Sequence, residues 1–405
     1  MNTGVAHRPL WPAYLSESLE SIGTTLLSVS IFFWTAKHLG FSLRQNFLLA
    51  MGQGIVYTAG ALLAERLARK FGRRPALIGI YFILIAVSAA AAFAPRPMVI
   101  VLLLAYSLVA AANWPMLESL VSSDAPDAHA LSKRVGLYNL VWSGANTIAI
   151  ALSGMLIDSS QGGIFLVAAG ANVMAMLIMV FQPGIDPHGA ATAPSPHADP
   201  EPELLNSRTL AMWLARIALP ATYVVVYAMS AMFPSLPVMR NLSTAQSTLV
   251  SSAWMASRFI TFLVLGYTVW WHTRPKLLLG ASVVMLVAFL GVTIPPSAVA
   301  QTGYALDLMS MLSWQLVLGV AMGIIYSGSL YFGMVLSQGS TEHGGYHEAL
   351  IGLGSVLGPG AGAFTQSFAA TATGGTPFVA IVAVSGVIAI TIAAACAASV
   401  RVGRR

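Results

Sequence analysis

Twelve long apolar runs constrain the fold of this 405-residue chain more than any other feature of its sequence. Most of them reach the ~20 residues that a helix needs to cross a bilayer. Because only helices and closed barrels satisfy their backbone groups in lipid, we predict an all-α polytopic membrane protein. The helices are predicted at 12–36, 46–69, 75–94, 97–122, 132–158, 162–182, 209–238, 246–271, 275–294, 306–337, 345–370 and 376–400.

The composition fits only a membrane protein. Hydrophobic residues make up 57% of the chain and charged residues 8%, whereas soluble domains are ~25% charged. The one cysteine, Cys396, excludes an intrachain disulfide and a thiolate metal cluster. We expect no cofactor, no metal site and no nucleic-acid partner, because the basic residues are spread over loop ends. A G-x-x-x-x-G-K-[ST] loop is absent, which argues against ATP-driven pumping.

A segment rich in Pro, Ala and acidic residues, 183–208, divides the helices into six plus six. Burial cannot offset the entropy of ordering such a segment, so we predict a flexible linker between bundles at 1–182 and 209–405. Lys and Arg number four in the odd-to-even helix connections and fifteen on the other side. The positive-inside rule therefore predicts that both termini and the linker are cytoplasmic.

The two halves show an internal repeat. A shift of 208 residues sets Gly136, Gly144, Gly154 and Tyr138 on Gly344, Gly352, Gly362 and Tyr346. Together with the matching helix order, this indicates a duplicated six-helix unit. Parallel repeats of this kind form transporter folds with a site at the repeat interface.

Arg258 lies near the middle of the eighth apolar run. A cation at the bilayer midplane is costly unless it faces a polar cavity or a partner. One interpretation is a group that binds a carboxylate, phosphate or sulfate of a ligand. The other is a structural Arg paired with a buried carboxylate or with backbone carbonyls.

Three acidic residues lie within apolar runs. Glu17 and Glu20 lie one turn apart in the first helix, followed on the same stripe by Thr24 and Ser28. Each could carry a proton or could be an interfacial acid that sees water, and Glu20 is the stronger candidate because Glu17 is shallower. Glu118 could also carry a proton. A structural pair with Arg134 or Lys133 is slightly favoured, because a buried charge needs a partner.

Amides and aromatic rings recur along several predicted helices and suit a binding cleft. Their alternative role is packing or hydrogen bonding between helices. The candidates are Gln53, Tyr57, Asn139, Trp142, Asn146, Tyr227 and Tyr326, with Tyr223, Ser230 and Tyr331 on the same helices. His347 and Glu348, which follow Glu342 and His343, could sense protons or could form a solvated loop end.

The connection between the second and third helices, residues 65–75, resembles the loop signature of the major facilitator superfamily, roughly G-x-L-A-D-R-x-G-R-R. It matches at Leu67, Ala68, Gly72, Arg73 and Arg74. It departs from the signature at Glu65, which stands in place of Gly, and at Arg69, which stands in place of Asp. In that family the Asp helps to hold the cytoplasmic gate shut, and Glu65 could supply the acid here from one turn earlier.

The eleventh helix carries a pattern similar to the antiporter motif of the same family. Its members are Gly345, Gly354, Gly358, Pro359 and Gly362. Glycines at such spacing allow close helix approach, and Pro bends the helix. The family places this motif in the fifth helix, so here it occupies the pseudo-symmetric position.

The resemblance implies a monomeric bacterial inner-membrane transporter that carries a small molecule by alternating access. The ligand would pass between helices 1, 2, 4, 5, 7, 8, 10 and 11. Proton coupling is favoured through Glu20 or Glu118, export is mildly favoured by the glycine motif, and an anionic or amphiphilic substrate is favoured by Arg258. The alternatives are an uncoupled uniporter or lipid transporter of the same fold, and a membrane assembly or sensor protein without transport.

Overall fold

The structure, a computed structural model, describes residues 10–122, 125, 128–182, 202–268, 270–337, 341–372 and 377–402. Eleven helices in this part of the chain are long and apolar enough to cross a membrane. A further long helix, Thr341–Ala372, precedes the last of them. In chain order the helices are α1 (Trp11–Leu39), α2 (Leu43–Phe71), α3 (Arg73–Phe93), α4 (Arg96–Ser122), α5 (Ala130–Ser159), α6 (Gly163–Phe181), α7 (Leu210–Ser235), α8 (Thr244–Gly266), α9 (Lys276–Thr293), α10 (Tyr304–Phe332), α11 (Thr341–Ala372) and α12 (Pro377–Val400).

The predicted all-α polytopic fold is confirmed, with differences at some helix ends. In α4, helical hydrogen bonding stops at Ala110 and resumes at Asn113. Pro115 explains this break, because proline has no N–H and its ring crowds the carbonyl four residues earlier. The regular part of α7 ends at Met232, where Pro234 and Pro237 turn the chain into 3-10 turns, rather than at the predicted residue 238.

The structure describes only the end of the predicted linker. Residues 183–201 lie outside the described part of the chain. Residues 202–208, which the sequence assigned to the linker, are helical, since the helix that contains α7 begins at Pro202. Proline is favoured in the first turn of a helix, where its missing N–H has no partner to lose.

Burial separates central helices from peripheral ones. In an apolar 18-residue stretch of each helix, the buried share is 72% for α1 and 83% for α7, against 28% for α12. The helices α1 and α7 therefore lie at the centre of the bundle and α12 at its periphery. The buried acids of α1 are held in protein and not against lipid.

Two helix pairs make the most extensive contacts between the first half of the chain, α1–α6, and the second half, α7–α12. Helix α2 packs along α11, and α5 packs along α8. The predicted repeat superimposes α1–α6 on α7–α12, so that α2 corresponds to α8 and α5 corresponds to α11. The pair α2–α11 is therefore equivalent to the pair α8–α5. The contacts between the halves thus follow the pseudo-symmetry expected from the sequence.

Glycine allows two tight connections at opposite ends of the bundle. Gly40, between α1 and α2, has φ 67°, and Gly72, between α2 and α3, has φ 80°. A side chain at such positive φ values is strained, so both positions favour glycine. We refer to the two ends of the bundle as the Gly40 end and the Gly72 end.

Candidate functional site

A cavity of about 640 Å³ lies between the two halves. Its walls come from α1, α2, α4, α5, α7, α8, α10 and α11, the same eight helices named in the sequence analysis. The polar and aromatic residues on the wall are Glu17, Ser21, Thr24, Thr25, Ser28, Tyr57, Trp114, Tyr138, Trp142, Asn146, Tyr223, Tyr227, Trp254, Arg258, Tyr326 and Glu348.

Arg258 lies on this wall with 1% of its surface exposed. Aromatic rings surround its guanidinium, with Cζ 4.7 Å from the ring centre of Tyr326, 4.8 Å from Trp142, 5.4 Å from Phe262 and 5.9 Å from Tyr223. Each such contact contributes ~0.5–2 kcal/mol. The rings stabilise the cation in place, and the Tyr223 hydroxyl also makes a side-chain hydrogen bond with the guanidinium.

The alternative role for Arg258, a structural ion pair, is not observed among the described residues. No described carboxylate forms an ion pair with it, and its Nε and Nη2 have no hydrogen-bond partner in the described part of the chain. A buried donor without a partner costs ~1–3 kcal/mol. The guanidinium is thus held in a cavity with donor capacity to spare.

The acids of α1 are not interfacial. Glu17 and Glu20 are both fully buried, so the prediction that they could see water at the membrane surface is wrong. Glu17, the weaker candidate from sequence, lines the cavity, whereas Glu20 lies behind the wall. Thr24 Oγ1 donates to Glu20 Oε1 at 2.5 Å, and Glu20 Oε2 has no described partner.

Glu118 does not form the predicted pair with Arg134 or Lys133. Both of its carboxylate oxygens lack a described hydrogen-bond partner, while Arg134 Nη1 donates to the Val121 carbonyl at 3.4 Å. Glu118 faces His347 and Glu348 instead. The second segment of α4, Asn113–Ser122, which carries Glu118, packs on α11.

His347 and Glu348 do not form a solvated loop end, because α11 begins at Thr341 and both side chains are 3% exposed. Tyr57 on α2 donates a hydrogen bond to Glu348 Oε2. This bond joins the two halves beside the cavity. The side chains of Glu342 and His343 lie outside the described part of the structure.

The predicted amides and aromatics separate into two groups. Tyr57, Trp142, Asn146, Tyr227 and Tyr326 line the cavity. With its amide nitrogen turned to α1, Asn146 donates to Thr25 Oγ1 at 2.7 Å and to the Ser21 carbonyl at 3.0 Å.

Gln53 and Asn139 lie off the cavity wall. Gln53 Nε2 donates to the Leu27 carbonyl at 2.9 Å, which links α2 to α1. Asn139 Oδ1 accepts from Trp142 Nε1 at 3.2 Å. Both amides therefore act in hydrogen bonds between or within helices, the alternative that the sequence left open.

Sequence reasoning missed two tryptophans on the wall, Trp114 and Trp254. A signal for both was present. Each lies four residues before an intramembrane charge, Glu118 and Arg258 respectively. In a helix this spacing puts the ring and the charge on one face.

The loop signature makes contacts near the Gly72 end. Arg69 Nε lies 3.6 Å from Glu65 Oε1, so Glu65 pairs with the basic residue one turn later. Arg73 Nη1 donates to Ser119 Oγ at 2.8 Å, and Arg74 donates to the carbonyls of Met179 and Val180 at 2.8 and 2.9 Å. The loop thereby ties α3 to α4 and to the last turn of α6.

The glycines of α11 allow it to lie against both α2 and α7. A Cβ on Gly354 would lie 2.2 Å from the Pro220 carbonyl oxygen, and one on Gly358 would lie 2.4 Å from that of Val224. One turn after Gly358, a Cβ on Gly362 would lie 2.6 Å from the Phe47 ring of α2. Helix α11 continues through Pro359.

The cavity is flanked by close helix contacts at both ends. At the Gly72 end, a Cβ on Gly345 would lie 3.2 Å from the Ala61 carbonyl oxygen, and one on Gly136 would lie 3.3 Å from Gly266 Cα. At the Gly40 end, Phe47 contacts Gly362, and the Gly154 amide donates to Thr248 Oγ1 at 3.0 Å. The helices of the α2–α11 pair and of the α5–α8 pair are thus in close contact on both the Gly40 side and the Gly72 side of the cavity.

A cavity with a polar wall lies between two six-helix halves and is lined by eight helices, an arrangement typical of transporters of small molecules. The family profile described as Major Facilitator Superfamily matches residues 13–359, and the chain therefore belongs to this superfamily. A crystal structure of a mutant of the nucleoside transporter NupG is similar, with a TM-score of 0.68, 13% sequence identity, and coverage of 96% of this chain and 99% of that one. At this identity the likeness concerns the fold alone. No curated protein matches the chain in sequence.

Proposed function

We propose that this protein is a secondary transporter whose substrate places an anionic group on Arg258 and a flat or cyclic part among the surrounding rings. The observation that carries the proposal is the buried guanidinium on the cavity wall, which has unused donors and no ion pair among the described residues. A carboxylate or phosphate would accept hydrogen bonds from two N–H groups of the guanidinium at once. The faces of Trp142 and Tyr326 would contact the rest of the molecule.

Transport would proceed by alternating access, with the bundles α1–α6 and α7–α12 rocking about the cavity and the connection between them on the cytoplasmic side of a bacterial inner membrane. The asymmetry of basic residues supports this orientation. The contacts at both ends of the cavity support an occluded state of the cycle. The resemblance of α11 to an antiporter motif favours efflux by a monomer in exchange for protons.

Glu20 is the proposed proton carrier. It is fully buried, and no described cation pairs with it. The ionisable groups in electrostatic contact with it are Glu17 on α1, Glu348 on α11, and the hydroxyls of Tyr81 on α3 and Tyr106 on α4. None of these groups supplies a positive charge, so a proton is the simplest way to neutralise the carboxylate in this environment.

The substrate assignment is tested by thermal-shift screening of the purified protein, followed by proteoliposome transport of each hit. The panel contains aromatic carboxylates, sugar phosphates and nucleosides, the last because the structural neighbour carries them. We expect an anionic hit whose affinity falls by more than about tenfold in Arg258→Gln, which corresponds to the ~1.5–3 kcal/mol of a hydrogen bond to a charged group. Arg44→Gln, at an exposed position, is the matched control.

Two results would contradict the assignment. One is an anionic ligand that binds Arg258→Gln as well as wild type. The other is a neutral nucleoside that is lost in Trp142→Leu and unaffected in Arg258→Gln, which would favour ring stacking without a charged anchor. Transport that ignores an imposed pH gradient would favour an uncoupled or lipid-moving carrier. The absence of any hit would favour an assembly or sensor role.

A further inference from the structure

We propose that Glu118, His347 and Glu348 bind one first-row divalent metal ion, of which Zn²⁺ is the representative, at the junction of the two halves. One potential ligand atom from each residue lies within 4.8 Å of the others. All three side chains are at least 97% buried. Glu118 comes from α4 and the other two residues from α11, so neither half contains the site alone.

Glu118 supplies the independent sign of a missing ligand. Its side chain is 2% exposed, and neither carboxylate oxygen has a described hydrogen-bond partner. A buried carboxylate without partners is strongly penalised unless a proton or a cation neutralises it. The carboxylate lies beside His347 and Glu348, where a bound cation would contact all three residues.

A glycine of α11 packs directly beside this carboxylate. A Cβ on Gly344 would lie 3.1 Å from Glu118 Oε2 and 3.1 Å from Pro115 Cα. A side chain at this position would require α4 or the carboxylate to shift. Gly344 thus keeps the two ligand-bearing helices close together beside Glu118.

The donor set is that of a transition-metal site. Two carboxylates and one imidazole suit Zn²⁺, Mn²⁺ or Fe²⁺, and they leave coordination positions for water. Groups around the cluster orient these ligands, as is usual at metal sites. Tyr57 donates to Glu348, and Ser329 Oγ lies 3.4 Å from His347 Nδ1.

The local charges favour a cation. The carboxylates near this junction are those of Glu17, Glu118 and Glu348, whereas the described cavity wall carries one guanidinium, that of Arg258. A divalent ion offsets two negative charges at once. Because α4 and α11 belong to different halves, we expect the ion to hold them together at the Gly72 end.

The inference does not depend on transport, and it can be tested on the full-length protein in detergent with the purification tag removed. After treatment with a chelator, the protein is titrated with Zn²⁺ by calorimetry and with Co²⁺ by visible absorption. We expect about one equivalent of each ion, a Co²⁺ d–d spectrum typical of protein ligands, and proton release on binding. Loss of the ligand in Glu118→Gln or His347→Asn is expected to weaken binding at least tenfold.

His38→Asn is the matched control, because His38 lies on α1 with its Nε2 3.2 Å from the Ile157 carbonyl oxygen. It is expected to bind the metal like wild type. The inference is overturned if wild-type protein binds no stoichiometric Zn²⁺ at about 100 μM free metal. This measurement uses the wild-type protein alone and so does not depend on the folding of any variant. It is equally overturned if well-folded Glu118→Gln, monodisperse by gel filtration, keeps wild-type affinity, since the metal would then be bound elsewhere. In either case, protonation of the carboxylates would then explain how their buried charge is neutralised.

Discussion

At the scale of single residues, the site is built from ionisable groups that would be unfavourable in lipid. Arg258 is held by rings and not by a carboxylate, and Glu20 is held by one threonine hydroxyl. This incomplete satisfaction is typical of groups that acquire a partner during function.

Glu20→Gln separates proton coupling from transport. The amide preserves size and can still accept from Thr24, but it cannot ionise. We expect substrate exchange across proteoliposomes to continue and accumulation driven by an imposed pH gradient to be lost. Both are measured as radiolabelled substrate taken up with and without the gradient.

The control is Asp158→Asn. Asp158 forms a partly exposed ion pair with Lys37 at 2.5 Å and also accepts hydrogen bonds from Thr244 and Ala245. The asparagine oxygen can still accept these hydrogen bonds, and exposed ion pairs contribute only ~0–1 kcal/mol. This variant should keep both activities. Accumulation that still follows the pH gradient in Glu20→Gln would exclude this carboxylate as the carrier.

At the scale of elements, α11 is the helix on which the two halves meet. It contacts α2 and α7 through glycines on opposite faces, and it presents His347 and Glu348 to α4. Close backbone approach replaces the hydrophobic effect as a source of helix association in lipid, since the lipid tails are themselves apolar. The stability of the junction should therefore depend on side-chain size at these glycines.

Gly354→Ala is expected to destabilise the protein. Its Cβ would lie 2.2 Å from the Pro220 carbonyl oxygen, so α11 must shift from α7. Overpacking of this kind costs ~1–3 kcal/mol. We expect a fall of several degrees in the thermal unfolding midpoint, followed by tryptophan fluorescence in detergent.

Gly386→Ala on α12 provides the comparison. No atom lies within 4 Å of the added Cβ, and alanine has a higher helix propensity than glycine by ~1 kcal/mol. This variant should be as stable as wild type or slightly more so. Equal midpoints for the two alanine variants would mean that the close packing at Gly354 adds nothing to stability.

At the scale of the whole molecule, the closed helix pairs at both ends enclose the cavity. Alternating access requires that each end opens in turn. The pair α5–α8 offers one contact at each end, Gly136 with Gly266 and Gly154 with Thr248. A covalent bond at either contact would hold that end shut.

Disulfide cross-linking tests this description. In a Cys396→Ser background, the pair Gly136→Cys with Gly266→Cys is oxidised. We expect the oxidised protein to lose net transport by more than about tenfold and to regain it on reduction. Single-cysteine variants, treated with the same oxidant, should remain active. Wild-type rates in a fully cross-linked protein would rule out opening at that end.

The number, order and approximate bounds of the helices followed from the sequence because twelve bilayer-length apolar runs admit few other folds. The presence of Arg258, Glu17, Glu20 and Glu118 in those runs also identified them as candidates, since each is costly in lipid. The glycines of α11 predicted close packing from their spacing alone.

Only the tertiary structure showed whether each side chain points into the cavity, towards a neighbouring helix or towards lipid. Helices that are apolar on all sides give no stripe to separate a lipid-facing side from a buried one. Sequence therefore could not show that Gln53 and Asn139 lie off the cavity, that Glu17 lines it in preference to Glu20, or that rings enclose Arg258. The meeting of Glu118 with His347 and Glu348 depends on the packing of two helices far apart in the chain, a relation that no local pattern encodes.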